Sequence, residues 1–381
     1  MKPAMGVVGL YAGIGGFELG FQAAGYDPLL LADSDDHCRA LLQTRFPAAR
    51  IEGDVRDIRS LPGNTEVVTA GFPCQNLSMA GDKSGIGGGK TGDVAHMFEL
   101  LRRGERPTLA IENVNFMLHV QRGAAMTELV HELEGLGYEW AYRVVDSMAF
   151  GLPQRRRRVY LVASQTVDPR DVLFADEANS IEQPKPSIDQ PIGFYWTEGR
   201  SGWGAAADSV PPLKVASTLG IPSMPAVLFP DGQVLMPSIE ACERLQGFEI
   251  GWTDLSYDVR RSPRWRMVGN AVSVPAAKWL ANRIRNPGRL LPLSVSEMES
   301  GSSWPKAAFG GKGKVFAVKA SDWPVHDHAP SISELRDTSW KPLSFRALNG
   351  FISRAESGSL RFPAGFLEKL KEARESVSPS T

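Results

Sequence analysis

The sequence predicts an α/β fold: a doubly wound, mostly parallel sheet with a smaller, irregular β-rich second domain. Three observations carry this. Short apolar runs alternate with helix-like stretches through the first part of the chain, and a glycine-rich turn joins the first run to the first helix. After about Ser164 helical periodicity fades and Pro and Gly become frequent. Strands separated by helices make a parallel sheet covered on both faces, whereas a Pro/Gly-rich stretch makes short strands and turns.

The elements follow in order. Val7 to Tyr11 reads as a strand, Gly15 to Ala24 as a helix, Pro28 to Ala32 as a second strand and Asp36 to Phe46 as a second helix. Val67 to Ala70 and Leu109 to Ile111 continue the strands, with an amphipathic helix over Val94 to Arg103 between them. Arg143 to Asp146 and Val159 to Ala163 suit a terminal hairpin. Helical character returns at Ile239 to Gln246 and Val274 to Ile284, and the tail offers a strand at Val315 to Lys319 and a helix at Ala364 to Ala373.

The 381 residues, 43% hydrophobic and 22% charged, suit one large or two modest domains. No run approaches the roughly 18 apolar residues of a membrane span, and the start lacks a signal-peptide pattern, so a cytoplasmic chain with no membrane partner is expected. The net charge of −1 gives no pointer to nucleic acid, which leaves any such contact to local basic patches. Cys38, Cys74 and Cys242 are odd in number and far apart, which argues against a disulfide framework and fits no metal-ligand spacing.

Leu10-Tyr-Ala-Gly-Ile-Gly-Gly-Phe17 ends the first strand and opens the first helix. Such glycines permit a sharp turn and a close ligand approach, and the helix N-terminus beyond favours an anionic group. Asp33, at the end of the second strand, is placed for a ribose diol, and Asp54, in Gly53-Asp-Val55, for an adenine amino group. Either Asp alone could be a helix cap. The three features in order favour an adenosine-containing ligand. A second glycine cluster, Gly87 to Gly92, lacks the P-loop's first glycine because position 84 is serine, and it reads as a loop.

Gly71-Phe-Pro-Cys-Gln75 follows an apolar strand, so Cys74 would project where open α/β sheets place their chemistry. A lone cysteine is also a common core residue. The polar, glycine-rich stretch 76–93 beyond it suits a closing lid. Glu112, in Ile111-Glu-Asn-Val114, ends the next strand and should lie near Cys74, where desolvation by a bound base would raise its pKa. In Gln154-Arg-Arg-Arg-Arg158, strand alternation would point Arg156 and Arg158 one way and Arg155 and Arg157 the other. One pair could then hold a base carbonyl or phosphate while the other meets protein or solvent.

Taken together, these residues resemble the cytosine-C5 DNA methyltransferase family. The matching motifs, in the family's order, are Tyr11-Ala-Gly-Ile-Gly-Gly16, Pro73-Cys-Gln75, Glu112-Asn-Val114, Gln154-Arg-Arg-Arg-Arg158, Arg244-Leu-Gln-Gly-Phe248 and Gly269-Asn-Ala271. The resemblance spans residues 5–285. It implies a Rossmann-like domain (1–164 and 241–288), a target-recognition domain (165–240) and a C-terminal accessory segment (289–381). It implies S-adenosylmethionine as donor, with Tyr11 on the adenine, Asp33 on the ribose, Asp54 and Val55 at the adenine edge, and Gly13, Ile14, Gly15 and Gly16 along the methionine moiety. Asn270 would complete that site. Many members carry an aromatic residue after the ribose-binding acid; here Ser34 stands there.

The implied chemistry is attack of Cys74 on C6 of a cytosine flipped out of double-stranded DNA, with Glu112 at N3 and Arg158, aided by Arg156, at O2. Arg200, Lys214 and the Trp196–Trp203 segment are candidate DNA contacts, although each Trp also suits a small core. The expected partners are double-stranded DNA and a cognate restriction or defence system, the chain acting as a monomer. A tRNA methyltransferase on the same scaffold and a catalytically silent DNA-binding homologue are the rival readings. The long 165–240 region favours DNA over the first, and an intact Cys74, Glu112 and Arg158 argue against the second.

Overall fold

The computed structural model describes residues 5–72, 93–178, 184–214, 224–255, 261–299 and 301–377. The chain divides into two compact units. The larger comprises Met1–Asp146, Arg157–Ser180 and Val272–His326; the smaller comprises Ser147–Arg156, Ile181–Ala271 and Asp327–Thr381.

In the larger unit the strands are β1 (Met5–Leu10), β2 (Tyr26–Ala32), β3 (Arg50–Glu52), β4 (Thr65–Ala70), β5 (Thr108–Val114), β6 (Glu139–Asp146), β7 (Arg157–Ser164), β12 (Val295–Glu297), β13 (Ala307–Gly311) and β14 (Lys314–Val318). Among the described residues these ten form one sheet in the order β12-β14-β13-β6-β7-β5-β4-β1-β2-β3. The block from β3 to β5 is parallel. β7 runs antiparallel to both β5 and β6, which gives the expected hairpin, but it is not terminal: β13, β14 and β12 continue the sheet beyond β6. β1 and β6 are buried almost without interruption, the signature of a sheet covered on both faces.

The covering helices are α1 (Gly16–Ala23), α2 (Asp36–Arg45), α3 (Asp93–Arg103), α4 (Ala124–Gly135), α5 (Pro169–Leu173) and α8 (Val274–Arg285). α2 starts where the Asp35 carboxylate accepts from the backbone N–H groups of His37 and Cys38, at 2.9 and 3.2 Å. α1 and α8 pack closely at Gly20, where a Cβ would come within 2.6 Å of the Lys278 nitrogen. Glycine is required there by close approach. In this way a helix from late in the chain supports the first helix of the sheet.

Arg143, on β6, has no exposed surface. Its guanidinium donates to the carbonyls of Ser321 (2.8 Å), Leu173 (3.1 Å) and Asp176 (2.6 Å) and pairs with Glu177 at 2.5 Å. These bonds fasten the end of α5 and the segment after β14 to the sheet.

In the smaller unit, β8 (Ile192–Phe194), β9 (Ala206–Ala207), β10 (Ala226–Leu228), β11 (Val234–Met236) and β15 (Lys341–Pro342) form an antiparallel sheet in the order β15-β11-β10-β8-β9. Helices α6 (Ile239–Leu245), α7 (Arg261–Asn270), α9 (Phe345–Glu356) and α10 (Phe366–Ser376) belong to the same unit. Leu348, Phe351, Ile352 and Ala355 of α9 lie at helical spacing and are buried with Phe194, Leu228 and Phe366.

The tail therefore divides, where the sequence suggested one accessory segment from residue 289. Its first part adds β12, β13 and β14 to the large sheet, and its second part supplies β15, α9 and α10 to the small one. Apolar burial explains the split. Trp304 packs against Trp140 at 6.0 Å in one unit, and Phe366 against Phe194 at 5.4 Å in the other. Among the described residues no helix is long and apolar enough to cross a membrane.

Candidate active site

The glycine turn comes directly after β1. The Ala12 N–H donates to the Ala32 carbonyl at 2.9 Å, which joins the turn to the end of β2. Tyr11 adopts φ 56°, a left-handed conformation that costs a bulky residue energy and is kept where the surroundings impose it. Gly13 also has positive φ, and a Cβ there would meet nothing within 4 Å, so backbone conformation is what demands glycine at that position. Ile14, Gly15 and Gly16 are buried at the start of α1.

Asp33 faces the turn. Its carboxylate accepts from the Gly13 N–H at 2.8 Å and from the Asp35 N–H at 2.9 Å. Burial pushes its pKa up, against the pull of those two bonds. Two donors leave part of the carboxylate's acceptor capacity for a further group. Ser34 beside it is exposed.

Asp54 has the capping role that one reading of the sequence gave it. Its carboxylate accepts from the Arg56 N–H at 2.8 Å, where a short 3-10 turn begins, and pairs with the Arg56 guanidinium at 2.5 Å. The Arg56 hydrogen bond holds its pKa below the usual range. Val55 is buried in the core.

At the end of β5, Glu112 is 7% exposed and lies 3.1 Å from the Arg158 Nε on β7. Val114 pairs with Arg158 and Glu112 with Tyr160 in the ladder, so Glu112 and Arg158 are diagonal neighbours on one face. Asn113 is buried and donates to the Phe72 carbonyl at 3.0 Å. That bond anchors the segment leaving β4, two residues before Cys74. Cys74 itself, with Pro73, Gln75 and the 76–92 stretch that holds the second glycine cluster, lies outside the described residues. The Asn113 bond had no counterpart in the sequence reading, because a side chain bonding the backbone of another strand leaves no periodic trace.

Arg157 reaches the carboxylates of Asp322 (2.7 Å) and Asp146 (3.3 Å), the protein-facing task that alternation allowed it.

In the smaller unit Arg156 precedes β7 and is 2% exposed. Its guanidinium donates to the Ala271 carbonyl at 2.8 Å and the Gly269 carbonyl at 3.3 Å, on either side of Asn270. The Gln246 amide donates to the Val268 carbonyl at 2.9 Å, and the Gln154 amide to the Leu245 carbonyl at 2.7 Å. Three motifs read separately in the sequence thus form one network around the Gly-Asn-Ala turn. Asn270 is exposed at the end of α7.

The candidate DNA contacts in this unit mostly have structural work. Lys214 lies 3.6 Å above the Tyr195 ring and pairs with Glu198 at 2.5 Å. The Trp196 indole donates to the Met224 carbonyl at 2.8 Å, and Trp203 packs on Phe366 at 4.7 Å. Arg200 is exposed.

Comparison with known proteins adds the following. The family model described as C-5 cytosine-specific DNA methylase matches residues 5–199. The chain is 42% identical to the type II methyltransferase M2.BsuMI of Bacillus subtilis, over 97% of this chain and 98% of that protein. It is 27% identical to the type II methyltransferase M.HaeII of Haemophilus aegyptius, over 73% of this chain and 92% of that protein. Among solved structures, the S. pombe Dnmt2 methyltransferase superposes with a TM-score of 0.52 at 16% identity, covering 73% of this chain and 97% of that one. At that identity the last comparison speaks for the fold alone.

Proposed function

Because the chain belongs to the C-5 cytosine-specific DNA methylase family, we propose that it methylates C5 of a specific cytosine in double-stranded DNA through a covalent bond from Cys74 to C6. The observation that carries the assignment of residues is the Glu112–Arg158 pair at the end of β5, next to the Asn113 bond to the Phe72 carbonyl. The two form a fixed polar edge beside the segment that leads to Cys74.

S-adenosylmethionine, when bound, supplies an electrophilic sulfonium methyl group. The turn after β1 fits it. Gly13 offers open space, Asp33 retains acceptor capacity for a diol, and Tyr11 stands beside the turn. Val55 would contact the adenine edge. Asp54 would reach an adenine amino group while still paired with Arg56, since a carboxylate accepts more than two bonds. Gly15, Gly16 and Ile14 would form the wall at the helix start.

Cytosine C5 is a weak nucleophile. The Cys74 thiolate would add to C6, and the C5–C6 π electrons would move to C5. Glu112 would give a proton or hydrogen bond to N3, and Arg158 would hold both Glu112 and the O2 carbonyl. After C5 is methylated, loss of its proton restores the double bond and expels the thiolate. A base inside a duplex cannot be reached this way, so it must be flipped out. Arg156 would act indirectly by fixing the backbone on either side of Asn270. The names of the relatives support a type II setting, in which a restriction nuclease recognises the same site.

Incubation with a labelled donor and either duplex DNA or tRNA tests the function. Label in DNA at one sequence context is the expected result, and label confined to tRNA would overturn it. Glu112→Gln should slow transfer by about 10²- to 10⁴-fold, the usual worth of a positioned acid, with donor binding unchanged. Single-turnover rates check this, and a rate within threefold of the parent would remove Glu112 from the chemistry.

A further inference from the structure

Glu18 is the third residue of α1, is 1% exposed, and has no part in the chemistry above. Its Oε1 accepts from the Thr69 hydroxyl on β4 at 2.7 Å. It lies against β1 so closely that a Cβ on Gly9 would come within 2.3 Å of the same oxygen. Its Oε2 is buried and finds no hydrogen-bond partner among the described residues. A carboxyl group buried in this position costs desolvation, and no ion pair among the described residues offsets it. A purely structural contact would be made more cheaply by an apolar side chain.

We propose that Glu18 is a positioning residue for the methyl donor, a buried strut that locks α1, β1 and β4 together beneath the glycine turn. The inference rests on the reading of that turn as the site for S-adenosylmethionine. All three elements end at the proposed site: β1 runs into the turn, α1 begins from it, and β4 leads toward Cys74. Thr69 also lies 3.4 Å from the Val8 carbonyl, so its single hydroxyl proton is directed either to β1 or to Glu18. The nearer bond is to Glu18.

The proton on Glu18 matters because of its neighbour. Asp33 holds Gly13 in place and is the charged group that bears on Glu18; Thr69 and the Val8–Gly9 backbone face it from the sheet. Burial, with a smaller contribution from Asp33, lifts the Glu18 pKa to about 7. Above that pH a second buried negative charge would face Asp33 and strain the bond to Gly13. Donor affinity should therefore fall as pH rises through about 7. The same charge costs fold stability, which is present below the ordinary carboxylate range and lost as pH rises through the folded value.

The test is the affinity of the full chain for S-adenosylmethionine, measured by titration calorimetry between pH 6 and pH 8.5 without DNA. The parent should weaken by about tenfold more than E18Q over that range, corresponding to one unit of coupling. The difference between the two profiles is the readout, because the donor's α-amino group itself titrates near pH 8. T69V, which removes the bond but leaves the carboxyl, should weaken binding several-fold already at pH 6. In turnover assays the changes should fall on the donor KM and leave kcat alone. Parallel profiles for parent and E18Q, or normal binding by T69V, would overturn the role of Glu18. A parent chain that binds no S-adenosylmethionine at any pH would instead sink the reading of the donor site.

Discussion

Alanine at position 74 should abolish methylation, lowering single-turnover transfer by at least about 10⁴-fold, while donor affinity and thermal stability stay at parental values. Loss of a nucleophile is not made good by its partners, so single substitutions of this kind cost as much as removal of the whole machinery. The direction follows from the substrate. Without addition at C6, the C5 carbon has no electron pair to offer, and Glu112 and Arg158 can only polarise an aromatic ring. A duplex carrying 5-fluorocytosine gives the complementary readout. Fluorine cannot leave as a cation, so the parent should stop as a donor-dependent adduct that survives denaturation. The Cys74→Ala protein should form none. An adduct with the alanine protein would show that another residue attacks, and Cys74 would lose its place.

The second large effect falls on the fold. Arg143→Ala removes a fully buried guanidinium and leaves three carbonyls and the Glu177 carboxylate without their donor. Glu177 is exposed and can take water in place of the guanidinium, so the cost comes from the carbonyls left without a donor, about 2–4 kcal/mol in all. For a unit of this size that is a fall of on the order of 10 °C in unfolding temperature. Arg143→Lys should recover part of the loss, but not the forked bonds to three carbonyls. Calorimetry of both variants checks the ranking. A change below 1 kcal/mol in the alanine variant would mean that the fastening of residues 173–177 and 321 contributes little.

How far the chain could be read without its structure depends on the kind of signal. β1, β2, β4, α1, α2 and α8 were legible because their apolar spacing is regular and glycine or aspartate marks their ends. α9 was missed although Leu348, Phe351, Ile352 and Ala355 keep helical spacing, because Gly350 in its middle and glycine- and proline-rich neighbours suggested an irregular tail. The pairing of β13 with β6 was out of reach, since Ala307 and Arg143 are far apart in sequence and short strands state nothing about their partners. In the site, motif order pointed to Glu112 and Arg158 together. It gave no hint that Asn113 bonds the Phe72 carbonyl, or that Arg156 is directed at Gly269 and Ala271. Those are tertiary hydrogen bonds, and they follow from where the backbone passes.

The divided tail sets a timetable for synthesis. A ribosome releases β1 to β7 long before α8 and β12 to β14, and residues 181–271 of the smaller unit emerge in between. The large sheet must wait with β6 as an open edge and α1 uncovered at Gly20 until residues 272–326 appear. Long sequence separation between partners slows folding, and open strand edges invite aggregation. Production of this protein should therefore respond to translation rate and chaperone supply more than to any single stabilising substitution. Deletions from the C-terminus should take strands from both units.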